Sequence, residues 1–281
     1  MRKRKIVFII PPTVELLDLA GPVQVFVEAR FYGFDIDIEF YIYSKNVIST
    51  SGLTFGKLRD YSKARLKQGD YVFIPGMDHR YINSPKFKAE KKFFRWIKSN
   101  AEKKVFICSV CNGAFVLGNA GLLKNRRCTT HWRRVSQLQQ EFPTANVVDD
   151  VLFVKTDNIY SSGGISAGID LALDVITDLK GPQFTQVITR GLVIYHRTTP
   201  LQGERSVFLE YRNHINPEVH TIQDYLTENP SRKISHEKLA SMVSMSPHNL
   251  AILFKEVTGV TIKKYVTQLR QEHAKQPCDD N

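Results

Sequence analysis

An alternation narrows the fold of this chain more than any other feature. Short runs of β-branched and aromatic residues recur along its first two thirds: KIVFII (5–10), DIEFYIYS (37–44), DYVFIPG (70–76) and KVFICSV (104–110), with VLFVK and NIYSSGG later. Continuous apolar runs of this kind suit parallel strands buried on both faces. Between or after them lie helical patterns at Pro85–Asn100, Asn112–Leu122, Arg133–Phe142 and Ser166–Leu179. VELLDLAGPVQVFVEAR (14–30) is also helical, and its internal Pro22 predicts a break or kink. Strand–helix alternation predicts an α/β domain with a mostly parallel sheet covered on both faces. After about Tyr195 the pattern changes: HRTTPLQGERSVFLEYRNHINPE reads as a linker, and only helical signals follow Pro217. We therefore expect an α/β domain over 1–200, a linker over 201–216 and a small all-α domain over 217–281.

Length and charge bound what such a chain does. At 281 residues it holds one large domain or a domain plus a small module. The apolar run in MRKRKIVFIIPP is too short for a signal peptide, and no stretch reaches the length of a membrane span. Four cysteines do not form a disulfide framework, so a cytoplasmic protein is expected. Net charge is +11, with 30 basic and 19 acidic residues in 1–205 but 9 and 9 in 206–281. Within 232–275 the tally is 8 basic to 3 acidic, a locally basic stretch between acidic flanks. Charge alone is thus a weak argument for nucleic acid.

Cys111 sits where KVFICSV turns abruptly into a small-residue helix. A strand-to-helix junction exposes its side chain at the carboxyl edge of the sheet, where open α/β folds bind ligands. The helix N-terminus there favours a thiolate. Cys108 lies three residues upstream; in an extended strand the two would point to opposite faces, so a packing role is expected for Cys108. Histidine and cysteine spacings offer no zinc site, and no cofactor is expected. Alone, a cysteine before such a helix could equally be a packed small hydrophobe.

The run VCNGAFVLGNAGLLKNRRCTTHW (110–132) resembles the core of the ThiJ/PfpI superfamily, and most closely the GlxA-like transcriptional regulators, in which that domain is fused to an AraC-type one. LLDLAGPVQVF (16–26), IPG (74–76) and SSGGISAGIDLALDVI (161–176) extend the resemblance over roughly 5–195. It implies a flavodoxin-like sandwich, commonly dimeric. It also implies that Cys111 is the elbow cysteine and that Asp18 is the acid leaning on its sulfur. His131 falls in a motif shared by regulators and isocyanide-hydratase-like relatives, and Gly76 in a turn whose N–H is placed to hold an oxyanion. Two positions depart from the pattern. Asn112 stands where protease-like members have histidine, and Met77 follows Gly76 where many members have a second glycine. Asp18, Gly76, Cys111, Asn112 and His131 are the candidate ligand-binding residues; read without the resemblance, Asp18 is a helix-surface acid and His131 a core histidine.

ISHEKLASMVSMSPHNLAILFKEVTG (234–259) has the layout of a helix-turn-helix. Ser246 is a good N-cap, Pro247 suits the first helical position and Gly259 the C-terminal end. Leu250, Leu253, Phe254 and Val257 recur at helical spacing and face the core. Ser246, His248, Asn249, Ile252 and Lys255 are the candidates to face DNA. Residues 218–276 resemble the first helix-turn-helix of AraC-family regulators, which implies a shortened arm, since those domains carry two such units. Relatives often have arginines near His248 and Ile252. The sequence thus predicts a homodimeric regulator that binds promoter DNA and an unknown small-molecule effector, with no membrane partner. The alternative is a ThiJ/PfpI-type enzyme using Cys111 and Asp18 on isocyanides or small carbonyls. A remnant regulator, or a helical bundle that never touches DNA, is the plainer reading of the tail.

Overall fold

The computed structural model describes residues 3–44, 47–149, 151–194, 211, 216–230, 232 and 234–275. The chain divides into two compact units, Met1–Gly203 and Glu204–Asn281. Of the linker expected over 201–216, only Tyr211 and Asn216 are among the described residues.

The first unit is built on a seven-stranded sheet of order β3-β2-β1-β4-β5-β9-β8. Its strands are β1 (Arg4–Ile10), β2 (Ile36–Ile42), β3 (Arg59–Asp60), β4 (Tyr71–Ile74), β5 (Phe106–Val110), β8 (Phe153–Thr156) and β9 (Ile159–Ser162). Two short strands, β6 (Arg127–Cys128) and β7 (Asn146–Val147), pair separately. All neighbours in the large sheet run parallel except β8, which is antiparallel to β9. β1 shows why the run IVFII, after Lys5, is apolar throughout. Val7 and Ile9 enter one apolar layer, and Ile6, Phe8 and Ile10 enter the other.

The helices cover both faces. On one lie α4 (Lys91–Glu102), α5 (Ala114–Asn119) and α6 (Val135–Glu141), contributing Phe93, Ile97, Phe115, Leu117 and Leu138. On the other lie α1 (Leu16–Phe31), α7 (Ser166–Lys180) and α8 (Pro182–Gly191), contributing Val25, Phe26, Leu171, Leu173 and Ile188. The short helices α2 (His79–Ile82) and α3 (Pro85–Lys88) follow β4. This is the flavodoxin-like α/β fold read from the sequence.

Local details differ from expectation. Pro22 does not break α1, which runs through it for 16 residues. The cost of the missing N–H is offset by tertiary packing, since Gly21, Pro22, Val25 and Phe26 are all buried. The pattern over Pro85–Asn100 is two helices divided at Ala89–Glu90, and Asn112–Leu122 contracts to a 3₁₀ turn, Cys111–Gly113, followed by α5.

The second unit is all-helical: α9 (Pro217–Glu228), α10 (His236–Met242), α11 (Pro247–Thr258) and α12 (Ile262–Lys275). Val219, Ile222, Leu239, Leu250, Phe254 and Tyr265 form its core, with Leu253 and Val257 packed partly against it. Ser246 Oγ accepts the Asn249 N–H at 3.2 Å, and Gly259 ends α11 at φ +76°. Both ends of α11 are therefore capped as the sequence implies. Among the described residues no helix is long and apolar enough to cross a membrane.

Candidate functional site

The site forms where β5 gives way to α5. Cys111 takes φ +58°, a left-handed conformation uncommon for a residue with a side chain. The turn is held tightly: a Cβ on Gly113 would overlap the Ile74 carbonyl, and Thr130 Oγ1 donates to the Cys111 carbonyl at 3.0 Å. The left-handed residue also changes which side of the sheet Cys111 serves. Cys108 and Cys111 share the apolar layer that holds Phe8, Phe26 and Phe73, against the expectation of opposite faces. Strand alternation ends at Val110, and the turn carries the next side chain back to the same side. Cys108, Cys111 and Cys128 are free thiols.

Asp18, in the first turn of α1, is 2% exposed and stands beside the Cys111 thiol and the Gly76 backbone. Its Oδ1 accepts the Ile165 N–H at 2.6 Å, whereas Oδ2 makes no hydrogen bond of ordinary geometry. Burial pushes the Asp18 carboxyl above the usual range, against the bonds from Ile165, Cys111 and Gly76 that favour its charged form. Burial also pushes the Cys111 thiol well up, and the nearby Asp18 carboxylate adds to the shift. The Asn112 N–H opposes this without prevailing. The expected helix-stabilised thiolate is therefore corrected. A helix terminus contributes about 0.3–1 kcal/mol at an exposed site, under one pKa unit. Desolvation of a fully buried group shifts its pKa by up to about 3–5 units.

The other candidates sort by what holds them. Asn112 spends its side chain on one neighbour: Oδ1 accepts the Met77 N–H at 2.8 Å and Nδ2 donates to the Met77 carbonyl at 2.7 Å. It therefore fixes the turn after β4. Gly76, expected to bind ligand, is not among the residues lining the cavity; its carbonyl accepts the Glu15 N–H at 2.9 Å and its N–H faces Asp18. A Cβ there would overlap Asp18 Oδ2. His131 accepts the Arg133 N–H on Nδ1 at 3.3 Å, which leaves Nε2 as its proton-bearing nitrogen. Burial first, and then Arg133 and Arg134, hold the His131 pKa below its ordinary value.

Asp18, Cys111, Asn112 and His131 meet at one cavity of about 340 Å³, also lined by Glu15, Leu17, Met77, His79, Arg133, Arg134 and Ile165. Sequence reasoning missed several of these residues. Ile165 is the most telling: a β-branched residue at φ +52°, its N–H held by Asp18 and its side chain on the cavity wall. Gly164, at φ +94°, packs so closely on Cys111 that a Cβ would lie 2.5 Å from the cysteine Cβ. The doubled glycine in SSGGISAG was the available signal for this irregular backbone.

The candidate DNA-facing residues stand apart, in the second unit. His248, Asn249, Ile252 and Lys255 are all exposed on α11, and their spacing puts them along one face. Ser246 is also exposed, and its hydroxyl serves as the cap.

A model of the DJ-1/PfpI family matches residues 4–178, more than half of the chain. The chain belongs to the DJ-1/PfpI family. Within and beside that family, isonitrile hydratase of Pseudomonas putida is 29% identical over 184 residues, covering 64% of this chain and 74% of that protein. The HTH-type transcriptional regulator CdhR of Pseudomonas aeruginosa is 25% identical over 232 residues, covering 82% of this chain and 66% of CdhR. Since 82% of 281 residues is about 230 and the first unit has 203, the CdhR match must extend into the second unit. An AraC family transcriptional regulator from Pseudomonas putida superposes with a TM-score of 0.58 at 19% identity, over 67% of this chain and 99% of that structure. That likeness bears on the fold. The resemblance to DJ-1/PfpI-type regulators seen in the sequence is thus borne out.

Proposed function

We propose that this protein is a DNA-binding transcriptional regulator whose DJ-1/PfpI unit senses a small molecule and whose helical unit is an AraC-type DNA-binding arm. The observation that carries this reading is the capped pair α10–α11, joined by a short turn and presenting His248, Asn249, Ile252 and Lys255 along one exposed face. The similarity to CdhR, which extends into the second unit, supports it. A buried acid beside a protonated thiol suits holding a ligand better than attacking one. The reading includes a homodimer formed through the first unit, promoter DNA as the partner and a cytoplasmic location. Fluorescence anisotropy with promoter DNA at several salt concentrations tests it. Full-length protein should bind more weakly as salt rises, and Lys255→Ala should flatten the salt slope by about one phosphate contact. Asn249→Ala should cost about 1–3 kcal/mol of discrimination between sites. No binding even at low salt would overturn the reading.

A second reading is a cysteine enzyme. The similarity to isonitrile hydratase and the Asp18–Cys111 pair favour it. Cys111-dependent turnover of isonitriles at roughly 1 per second or faster would decide for the enzyme.

A further inference from the structure

The cavity beside Cys111 offers many hydrogen-bond donors and few acceptors. Arg133 and Arg134 both line it, and neither has a carboxylate partner among the described residues. Arg133 lies over the Trp132 ring at 4.9 Å, and Arg134 makes one long bond, 3.4 Å, to Gln137. His131 has Nδ1 occupied and Nε2 protonated, so its free nitrogen is a donor. Of the two acids, Glu15 is engaged by the Thr50 hydroxyl at 2.9 Å. The other, Asp18, is 2% exposed, its Oδ1 taken by the Ile165 N–H while the Cys111 thiol and the Gly76 backbone stand beside its carboxyl. His79 faces Asp78 at 3.6 Å and the Asn112 side chain is spent on the Met77 backbone, so the apolar part of the wall is left to Leu17 and Ile165, with Met77 buried behind it. A lone inorganic anion would leave that wall against water, and a cation would meet two guanidinium groups.

We infer that the cavity takes a small aliphatic carboxylate, its charged end held by Arg133 and Arg134 and its short stem against Leu17 and Ile165. A guanidinium matches a carboxylate with two parallel N–H donors, and a planar fork loses little freedom in binding. The volume, about 340 Å³, is at the small end of ligand pockets and suits a molecule of a few carbons. This assignment rests on the first unit being a ligand sensor, but binding is read without DNA, so it can fail while the regulator reading stands, and the reverse.

The test uses full-length protein and thermal shift, confirmed by calorimetry, with acetate, propionate and butyrate as probes against propionamide, butyramide, choline and inorganic phosphate. Butyrate and propionate should raise the melting temperature through mass action, and the amides, choline and phosphate should not. Arg133→Gln and Arg134→Gln should each weaken butyrate about tenfold or more while leaving the unliganded melting temperature unchanged. Glu15→Gln should tighten butyrate, because it removes the like charge from the lining; a merely structural role for Glu15 would not produce that gain. The inference is overturned if amides, choline or phosphate act as strongly as butyrate. It is equally overturned if no carboxylate binds, or if butyrate binds both arginine variants as it does the original protein.

Discussion

Two adjacent glycines behind the cysteine turn give a sharp test of the site's geometry. Gly164 sits at φ +94°, and a Cβ there would meet Cys111 Cβ at 2.5 Å, Cα at 2.9 Å and Sγ at 2.9 Å. Carbon atoms pack comfortably at about 3.5–4.0 Å, so Gly164→Ala forces an overlap of roughly 1 Å against backbone that cannot swing away. A left-handed conformation costs an L-residue about 1–2 kcal/mol. Overpacking of a tight site adds about 1–3 kcal/mol. The expected loss is therefore ~2–5 kcal/mol in the first unit. For a unit of this size each 1 kcal/mol moves the melting temperature by about 2–4 °C, so the shift should be roughly 4–20 °C. Gly163 has no positive φ, and a Cβ there would come no closer than 3.6 Å to the Val151 carbonyl oxygen. Gly163→Ala should be neutral or stabilise by up to about 1 kcal/mol, since it only restricts the unfolded chain. Differential scanning calorimetry of both variants, with urea titration at fixed pH, measures the contrast. A Gly164→Ala protein melting within 1 °C of the original, or equal shifts for the two variants, would refute the reasoning.

Two further outcomes follow from the electrostatics of the pocket. Burial raises the Asp18 carboxyl above its unfolded value, so the folded state binds the proton more tightly, and its ionisation lowers stability as pH rises from the unfolded pKa through the folded one. Asp18→Asn keeps an acceptor for the Ile165 N–H; it should therefore stabilise the protein at neutral pH, with the gain shrinking as pH falls from the folded carboxyl pKa to the unfolded one, and melting curves across acidic to neutral pH would expose a gain that does not shrink. Cys111 lines the cavity at 7% exposure while Cys108 is 0% exposed, so brief iodoacetamide treatment with peptide mapping should label Cys111 first. Because burial raises its thiol, labelling should be slower than for a free thiol and should keep accelerating into alkaline pH; labelling faster than free cysteine would contradict the burial argument.

Some of this protein was determined by its sequence alone. The run IVFII (6–10) must be buried on both faces wherever it packs, because it has no polar side to offer water. The caps of α11 were equally legible: Ser246, Pro247 and Gly259 each answer a need of the local backbone, and that need is set within a few residues. Helix and strand periods, turns and caps are short-range properties, so they survive in one dimension. The cavity is not of that kind. Asp18 becomes a buried acid only because the Ile165 N–H, 147 residues away, closes over it. Read along α1, it is an ordinary first-turn aspartate. Arg133 and Arg134 looked like the start of a helix, and only the tertiary fold puts them on a shared wall with Asp18 and Cys111. The same holds for the state of the thiol. The sequence correctly marked the strand-to-helix junction, but the balance between a helix N-terminus and desolvation depends on how completely the surrounding loops exclude water. That is a property of the assembled fold, and here burial outweighs the local dipole.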